Sequence, residues 1–268
     1  MKYLILGSKG LIGSSLSKYI KKQNHEVLDF DILNTEEEDL RKYKNKKLAE
    51  YMDISDFVFF LAFDIGGSKY LKEYQKQFKF IQNNIKIMTN TFEQLEKRKK
   101  KFIFASSQMA NMSMSNYGLL KLIGEKITES LDGLNIKFWN VYGKEYDDIK
   151  AHVITDFIDM AKKGCIKMMT TGREKRQFLH VEDTAECLYN LSDLYNTLDK
   201  KKNYHVTSFS WSSIAEIAEI VKKYIPCKII PGENLDCIQN NIKNEPDDHI
   251  LKYWNPKIQL EKGIKGMM

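Results

Sequence analysis

The segment from Phe57 to Phe63 is apolar at every position, and Phe102 to Ala105 repeats the pattern. A strand with one face in water alternates apolar and polar side chains. A strand with no polar side must be covered on both faces, which is the condition of a parallel sheet held between two layers of helices. Tyr3–Leu6, Glu26–Phe30, Phe57–Leu61, Phe102–Ala105 and Ile136–Trp139 read as such strands. The stretches between them, Leu11 to Ile20, Glu36 to Met52, Lys69 to Leu95 (as one helix or two) and Tyr117 to Leu131, carry helical apolar spacing. This alternation predicts a doubly wound parallel α/β domain over about residues 1–143.

After Gly143 the pattern changes. A helix is expected from His152 to Lys163, then the short run Phe178–Val181 and a helix from Glu182 to Tyr195. A strand at Tyr204–Val206 and a helix at Ser213–Tyr224 follow, the last opened by Ser213 and Glu216 in capping-box spacing. The tail from Cys227 onward reads as irregular. At roughly 150 residues per domain, 268 residues accommodate one full domain and a smaller α/β lobe. That lobe is placed at 144–268 and interleaved with the first domain near 176–206.

Several function classes are disfavoured by composition. With 14 Phe and 14 Tyr the chain has ample material for a core, unlike a disordered sequence. The longest apolar run is far short of a membrane helix, and Gly7 comes too early for a signal-peptide core. A soluble, unexported, cytoplasmic protein is expected. Cys165, Cys187, Cys227 and Cys237 are scattered, which suits free thiols better than a disulfide framework, and no zinc or other metal site is expected. The net charge of +6 comes partly from the runs Lys97–Lys101 and Lys200–Lys202. No basic stripe interleaved with aromatics points to nucleic acid, whereas a surplus of lysine favours an anionic small substrate.

Two constellations carry chemistry. Gly7-Ser8-Lys9-Gly10-Leu11-Ile12-Gly13 follows the first strand and opens the first helix. Its glycines permit a tight turn and close backbone approach to a pyrophosphate, and the free N–H groups of a helix start favour an anion. Asp31, at the end of the next strand and 18 residues past Gly13, is placed to accept hydrogen bonds from a ribose 2′-OH. This is the arrangement of a Rossmann-type dinucleotide site. The second constellation is Ser107, Tyr117 and Lys121. Tyr117 and Lys121 are spaced i, i+4 and share a helix face. A nearby ammonium stabilises a phenolate, so such a tyrosine can exchange a proton with an alcohol near neutral pH. Ser107 stands at the C-terminal end of a parallel strand, where ligands bind in these sheets, and can hold the same oxygen.

Together with Phe60-Leu61-Ala62, Asn84, Glu125, Asn140-Val141-Tyr142-Gly143 and Arg176 to Asp183, these motifs run in an order that resembles the extended short-chain dehydrogenase/reductases, the nucleotide-sugar epimerase/dehydratase/reductase group. The segment Phe63-Asp64-Ile65-Gly66-Gly67-Ser68, with Phe80 to Asn84, resembles the GDP-fucose synthase branch. The resemblance implies an NAD(P)-dependent enzyme acting on a nucleotide-diphosphate sugar. Tyr117 would be the general acid/base, Lys121 would tune it and hold the nicotinamide ribose, and Ser107 would orient the substrate oxygen. Leu61, Ala62 and Asn84 fall among the cofactor-binding positions, and Asn140 and Arg176 where relatives contact the sugar and the diphosphate. Gly67 would let backbone approach the sugar or nicotinamide. A homodimer through the Tyr117 helix is also implied, and Leu119, Leu120, Leu122 and Ile123 do spread apolar surface around that helix.

Departures from the family pattern narrow the reaction. Gln108-Met109 replaces the Asp-Glu pair of the sugar 4,6-dehydratases, and Met109 with Asn111 does not supply the cysteine and histidine of GDP-fucose synthase. Only nine residues separate Ser107 from Tyr117, so the rim is cut back, and Asn244 to Asp248 stands in for an Arg-x-x-Asp element without the arginine. The expected activity is hydride transfer by a 4-keto reductase or dehydrogenase. The alternatives are an epimerase working through a transient keto sugar and a non-catalytic NAD(P)-binding regulator. Asp31 favours NAD, whereas Lys9 could pair with the 2′-phosphate of NADP. His180 with Glu182-Asp183 is expected to link the lobes, and His25 to lie on the surface.

Overall fold

The computed structural model describes residues 1–112, 114–145, 147, 149–235 and 244–268. The first half runs β1 (Lys2–Leu6), α1 (Leu11–Lys22), β2 (Glu26–Phe30), α2 (Lys46–Ile54), β3 (Phe57–Phe60), α3 (Ser68–Tyr74), α4 (Phe78–Arg98), β4 (Phe102–Ser107), α5 (Asn116–Ser130) and β5 (Leu134–Phe138). It continues with β6 (Asn140–Tyr142), α6 (Val153–Lys162), β7 (Cys165–Lys167), β8 (Lys175–His180), α7 (Val181–Asp193), β9 (Asn203–Val206), β10 (Trp211–Ser213), α8 (Ile214–Tyr224), β11 (Lys228–Ile230) and α9 (Leu260–Lys265).

The central sheet is parallel, with order β2-β1-β3-β4-β5-β9. Its middle strands are rich in apolar residues because successive side chains feed two different cores. Tyr3, Ile5, Phe57, Phe59 and Ile103 point to the side covered by α1 and α7. Leu4, Leu6, Val58, Phe60, Phe102 and Phe104 point to the side covered by α2, α4 and α5. This is the doubly wound Rossmann-type fold that the apolar runs predict. The order reverses between β1 and β3, so the loops after these strands diverge and leave a crevice at the carboxyl edge of the sheet.

The rest of the chain does not simply follow the first domain. It leaves to form the sheet β10-β8-β6 and the pair β11-β7, with a separate core of Phe157, Ile158, Phe178, Ile217, Val221 and Ile264. Between these pieces it returns, laying α7 along α1 and pairing β9 with β5. Among the described residues no helix is long and apolar enough to cross a membrane.

Two local expectations are corrected, and a third is decided between its alternatives. Glu36 to Met52 is not one helix but a 3-10 turn at Glu36–Glu38 followed by α2. Glu38 turns inward, 4% exposed, to meet Lys47 at 2.8 Å. Asn45 binds the carbonyls of Glu37 and Asp39 and caps α2 at Leu48, so local polar bonds outcompete continued helix. Lys69 to Leu95 resolves into α3 and α4. The break at Gln75 presents its side-chain and backbone oxygens to Ser115 and Asn116 at the start of α5. The tail is also more ordered than expected, holding β11, a 3-10 turn at His249–Lys252 and α9. Ser213 and Glu216 do form the capping box of α8. Cys165, Cys187 and Cys227 are free thiols, and Cys237 lies outside the described residues.

Candidate active site

The glycine loop lies at the crevice. Gly7 turns with φ of 90°, and its N–H donates to the carbonyl of Phe30 at 2.9 Å. A Cβ on Gly13 would sit 2.1 Å from the Gly7 carbonyl oxygen, so only glycine lets the helix start close down on the turn. Gly10 is the N-cap of α1 and provides no side-chain cap. The first turn at Leu11, Ile12 and Gly13 thus opens toward the loop with its N–H groups uncapped by a side chain. The Ser8 hydroxyl is buried with no partner in the protein. An uncapped helix start beside an orphaned hydroxyl, in a cradle too tight for side chains, fits the pyrophosphate of a dinucleotide.

Asp31 is brought to this loop. Its carboxylate accepts from the backbone N–H of Lys9 at 2.9 Å and of Leu33 at 3.0 Å. Behind it stands Glu38, which sequence reasoning missed. Glu38 accepts from the Asp31 N–H and from Asn34, both at 2.7 Å, and these bonds with Lys47 hold its carboxyl below the usual range against the opposing effect of burial. In a run of three glutamates nothing in the sequence marks which one turns inward. Leu61 and Ala62 leave β3 next to Gly7, where Leu61 N–H donates to the Leu6 carbonyl at 3.0 Å.

Ser107 ends β4 and opens the 3-10 turn Gln108–Asn111, which it caps through Met109 N–H. Tyr117, the first residue in α5 after Asn116, lies close enough to the Ser107 hydroxyl for it to favour the phenolate. Ser115 fixes the start of that helix by accepting from Gly118 N–H at 3.1 Å. Tyr117 is 6% exposed and Lys121 4% exposed. Burial raises the Tyr117 phenol far above its ordinary value, and the nearby Ser107 hydroxyl works against it.

The expected ammonium–phenolate stabilisation takes another form. Lys121 donates to the carbonyl of Ala105 at 2.6 Å and lies 3.6 Å from the ring centroid of Phe63, with the Tyr117 ring at 5.8 Å. Burial brings its ammonium down to about 7, opposed by the charge of Glu125. Glu125 is itself buried between the Ser106 hydroxyl and Lys137, the latter at 3.3 Å. Lys137 also donates to Asn111 in the rim at 2.9 Å.

The remaining expected site residues divide. Asn84 is fully buried and clamps the backbone of Asp64, accepting from its N–H at 2.7 Å and donating to its carbonyl at 3.1 Å. Its amide shapes the loop after β3. Gly67 packs against the chain itself. Its N–H donates to the Lys150 carbonyl at 2.9 Å, and a Cβ would meet the Ala151 carbonyl oxygen at 2.3 Å. Asn140 and Arg176 stand on β6 and β8 of the second sheet, outside the hydrogen bonds of Tyr117. Asn140 donates to the Gln177 carbonyl and Arg176 to the Lys175 carbonyl. Asn244 reaches back to the short rim and donates to the backbone and side-chain oxygens of Gln108 at 2.9 and 2.6 Å.

His180 caps α7, accepting from Glu182 N–H, and packs edge-on against Tyr142. His25, expected on the surface, is half-buried. Tyr189 lies within hydrogen-bond distance of its ring at 3.2 Å, and Tyr3 packs against it.

Residues 3–207 match the model of the NAD dependent epimerase/dehydratase family. The chain is 24% identical to GDP-L-fucose synthase 1 of Arabidopsis thaliana over 98% of its length and 90% of that protein. A GDP-6-OMe-4-keto-L-xylo-heptose reductase from C. jejuni superposes with a TM-score of 0.84 at 19% identity, covering 99% of this chain and 96% of the other. A UDP-glucose 4-epimerase from Thermotoga maritima superposes with a TM-score of 0.80 at 18% identity, again over 99% and 96%.

Proposed function

The chain belongs to the NAD dependent epimerase/dehydratase family, and from that premise we propose that it is an NAD(P)-dependent oxidoreductase, a 4-keto reductase or dehydrogenase, acting on a nucleotide-linked sugar. The observation that carries this reading is the convergence of Ser107, at the carboxyl end of β4, with Tyr117 and Lys121, both buried on α5. A nucleotide-sugar substrate is supported by the names of the relatives, a GDP-L-fucose synthase and a GDP-heptose reductase among them.

The dinucleotide, held by Gly7, Gly10, Leu11, Ile12, Gly13 and Asp31, would supply the hydride acceptor or donor when bound. The protein's own residues handle the proton. Tyr117 donates its phenolic proton to the sugar oxygen in the reducing direction and accepts it in the oxidising direction. The Ser107 hydroxyl holds that oxygen and stabilises the phenolate left behind. The Tyr117 phenol is too weak an acid in its buried state to act without such help. Lys121, close to neutrality at about 7, needs little free energy to be charged when a polar group reaches it. Asp31 would set a carboxylate against a 2′-phosphate, which favours NAD over NADP.

Purified protein incubated with a panel of nucleotide sugars and NAD(H) or NADP(H), and read by mass spectrometry, tests the reading. A product differing by two hydrogens is expected. A product of unchanged mass and altered stereochemistry would make the chain an epimerase, as the similarity to the UDP-glucose 4-epimerase allows. Binding without turnover would make it a regulator. A homodimer through the α5 face belongs to the same reading, supported by the exposed Leu119 and Ile123.

A further inference from the structure

Lys121 is the group that the family resemblance assigns to the nicotinamide ribose, yet in this structure its ammonium already has two close neighbours. One is the Ala105 carbonyl at 2.6 Å. The other is the face of Phe63, whose centroid lies 3.6 Å away. That separation is van der Waals contact, with no room for a hydroxyl between ring and nitrogen. The same ring meets Tyr117 edge-on at 5.8 Å, so one side chain touches both members of the tyrosine–lysine pair.

We propose that Phe63 is a positioning residue that covers Lys121 and must turn aside before Lys121 can bind the nicotinamide half of a dinucleotide. A ribose hydroxyl bonded to the ammonium would need to approach to about 2.9 Å with nothing intervening. The backbone beside Phe63 has little freedom to yield, because Asn84 clamps the next residue, Asp64, at both its N–H and its carbonyl. Rotation of the Phe63 side chain is the movement that remains. The attraction of an ammonium for an aromatic face opposes this rotation. Phe63 therefore lowers the affinity for the nicotinamide half and leaves the adenosine diphosphate half, seated on the glycine loop, untouched. The exchange also keeps the ammonium satisfied, a ring face in one state and a ribose oxygen in the other.

The inference rests on the dinucleotide reading, and one titration separates the two. Binding of NAD and of ADP is measured calorimetrically for the full-length chain and for F63A, F63L and F63Y. For the wild type, both ligands are expected to bind. F63A should bind NAD about 3- to 10-fold more tightly, the scale of one exposed to partly desolvated cation–ring contact, with ADP affinity unchanged. F63L fills the volume without an aromatic face and should move in the same direction by less. F63Y keeps the ring and should restore the wild-type ratio. Equal shifts for NAD and ADP, no shift, or a loss of NAD affinity alone in F63A would overturn the role of Phe63 while leaving the dinucleotide site standing. Should F63A not fold, F63L against F63Y decides the same point. Failure of the wild type to bind NAD or ADP would remove the dinucleotide reading itself, and the inference with it.

Discussion

Tyr117, Ser107 and Lys121, the proposed catalytic set, take their properties from burial. A phenol raised by desolvation and an ammonium lowered to about 7 are the two sides of one effect, the penalty on charge where water is excluded. Tyr117→Phe keeps the ring and removes the proton. It is expected to reduce turnover by about 100- to 10,000-fold while leaving NAD affinity unchanged, as single-turnover kinetics and calorimetry would show. Lys121 gives a prediction of opposite sense for stability. Its ammonium titrates near 7 in the folded chain against 10.5 when unperturbed. Below pH 7 the folded state therefore carries the full cost of a buried cation. Between pH 7 and 10.5 the unfolded chain holds the extra proton, so this group's contribution makes stability rise with pH, and above that window the cost is gone. Lys121→Met should thus raise Tm at pH 6 by roughly 2–4 °C, with the gain fading toward pH 10, as thermal melts across pH would reveal. The identities of these residues were legible from spacing. The Phe63 face over Lys121 and the inward Glu38 were not, because each depends on which way one side chain turns in a loop.

At the scale of elements, apolar runs located β1, β3 and β4 well because their apolar residues are divided between two cores. Polar segments were less legible. Asn45 breaks a helix through local bonds to the carbonyls of Glu37 and Asp39, and Gln75 breaks one through bonds to residues some 40 positions away. The tail is another such case. Asp183 on α7, 3% exposed, accepts the backbone N–H groups of Lys257 and Ile258 at 2.9 and 2.8 Å. Asp183→Ala strands both donors, at about 1–3 kcal/mol for a buried unsatisfied group. It should release the segment that ends in α9. Limited trypsin digestion is expected to cut at Lys257 in the variant under conditions that leave the wild type whole. Equal protection of both would mean that α9 packing against α8 alone holds the tail.

For the whole molecule, the open quantities are assembly and the sugar. Leu119 and Ile123 are 39% and 52% exposed on α5, an apolar strip on an otherwise charged surface. Light scattering on the wild type is expected to give twice 31.4 kDa, and Ile123→Glu to give the monomer with its fold intact. A wild-type monomer would remove the dimer. The sequence by itself determined the parallel sheet, the glycine loop and the Ser107, Tyr117 and Lys121 set. Each is written in local spacing, and an apolar strand or an i, i+4 pair has few places to go. Tertiary structure alone decided that Asn84 and Gly67 shape the loop after β3, that Asn244 braces the shortened rim, and that Phe63 rather than Tyr117 is the nearest ring to Lys121. Those outcomes turn on contacts between segments distant in the chain, where burial and a few directed hydrogen bonds choose among orientations that local spacing leaves equal.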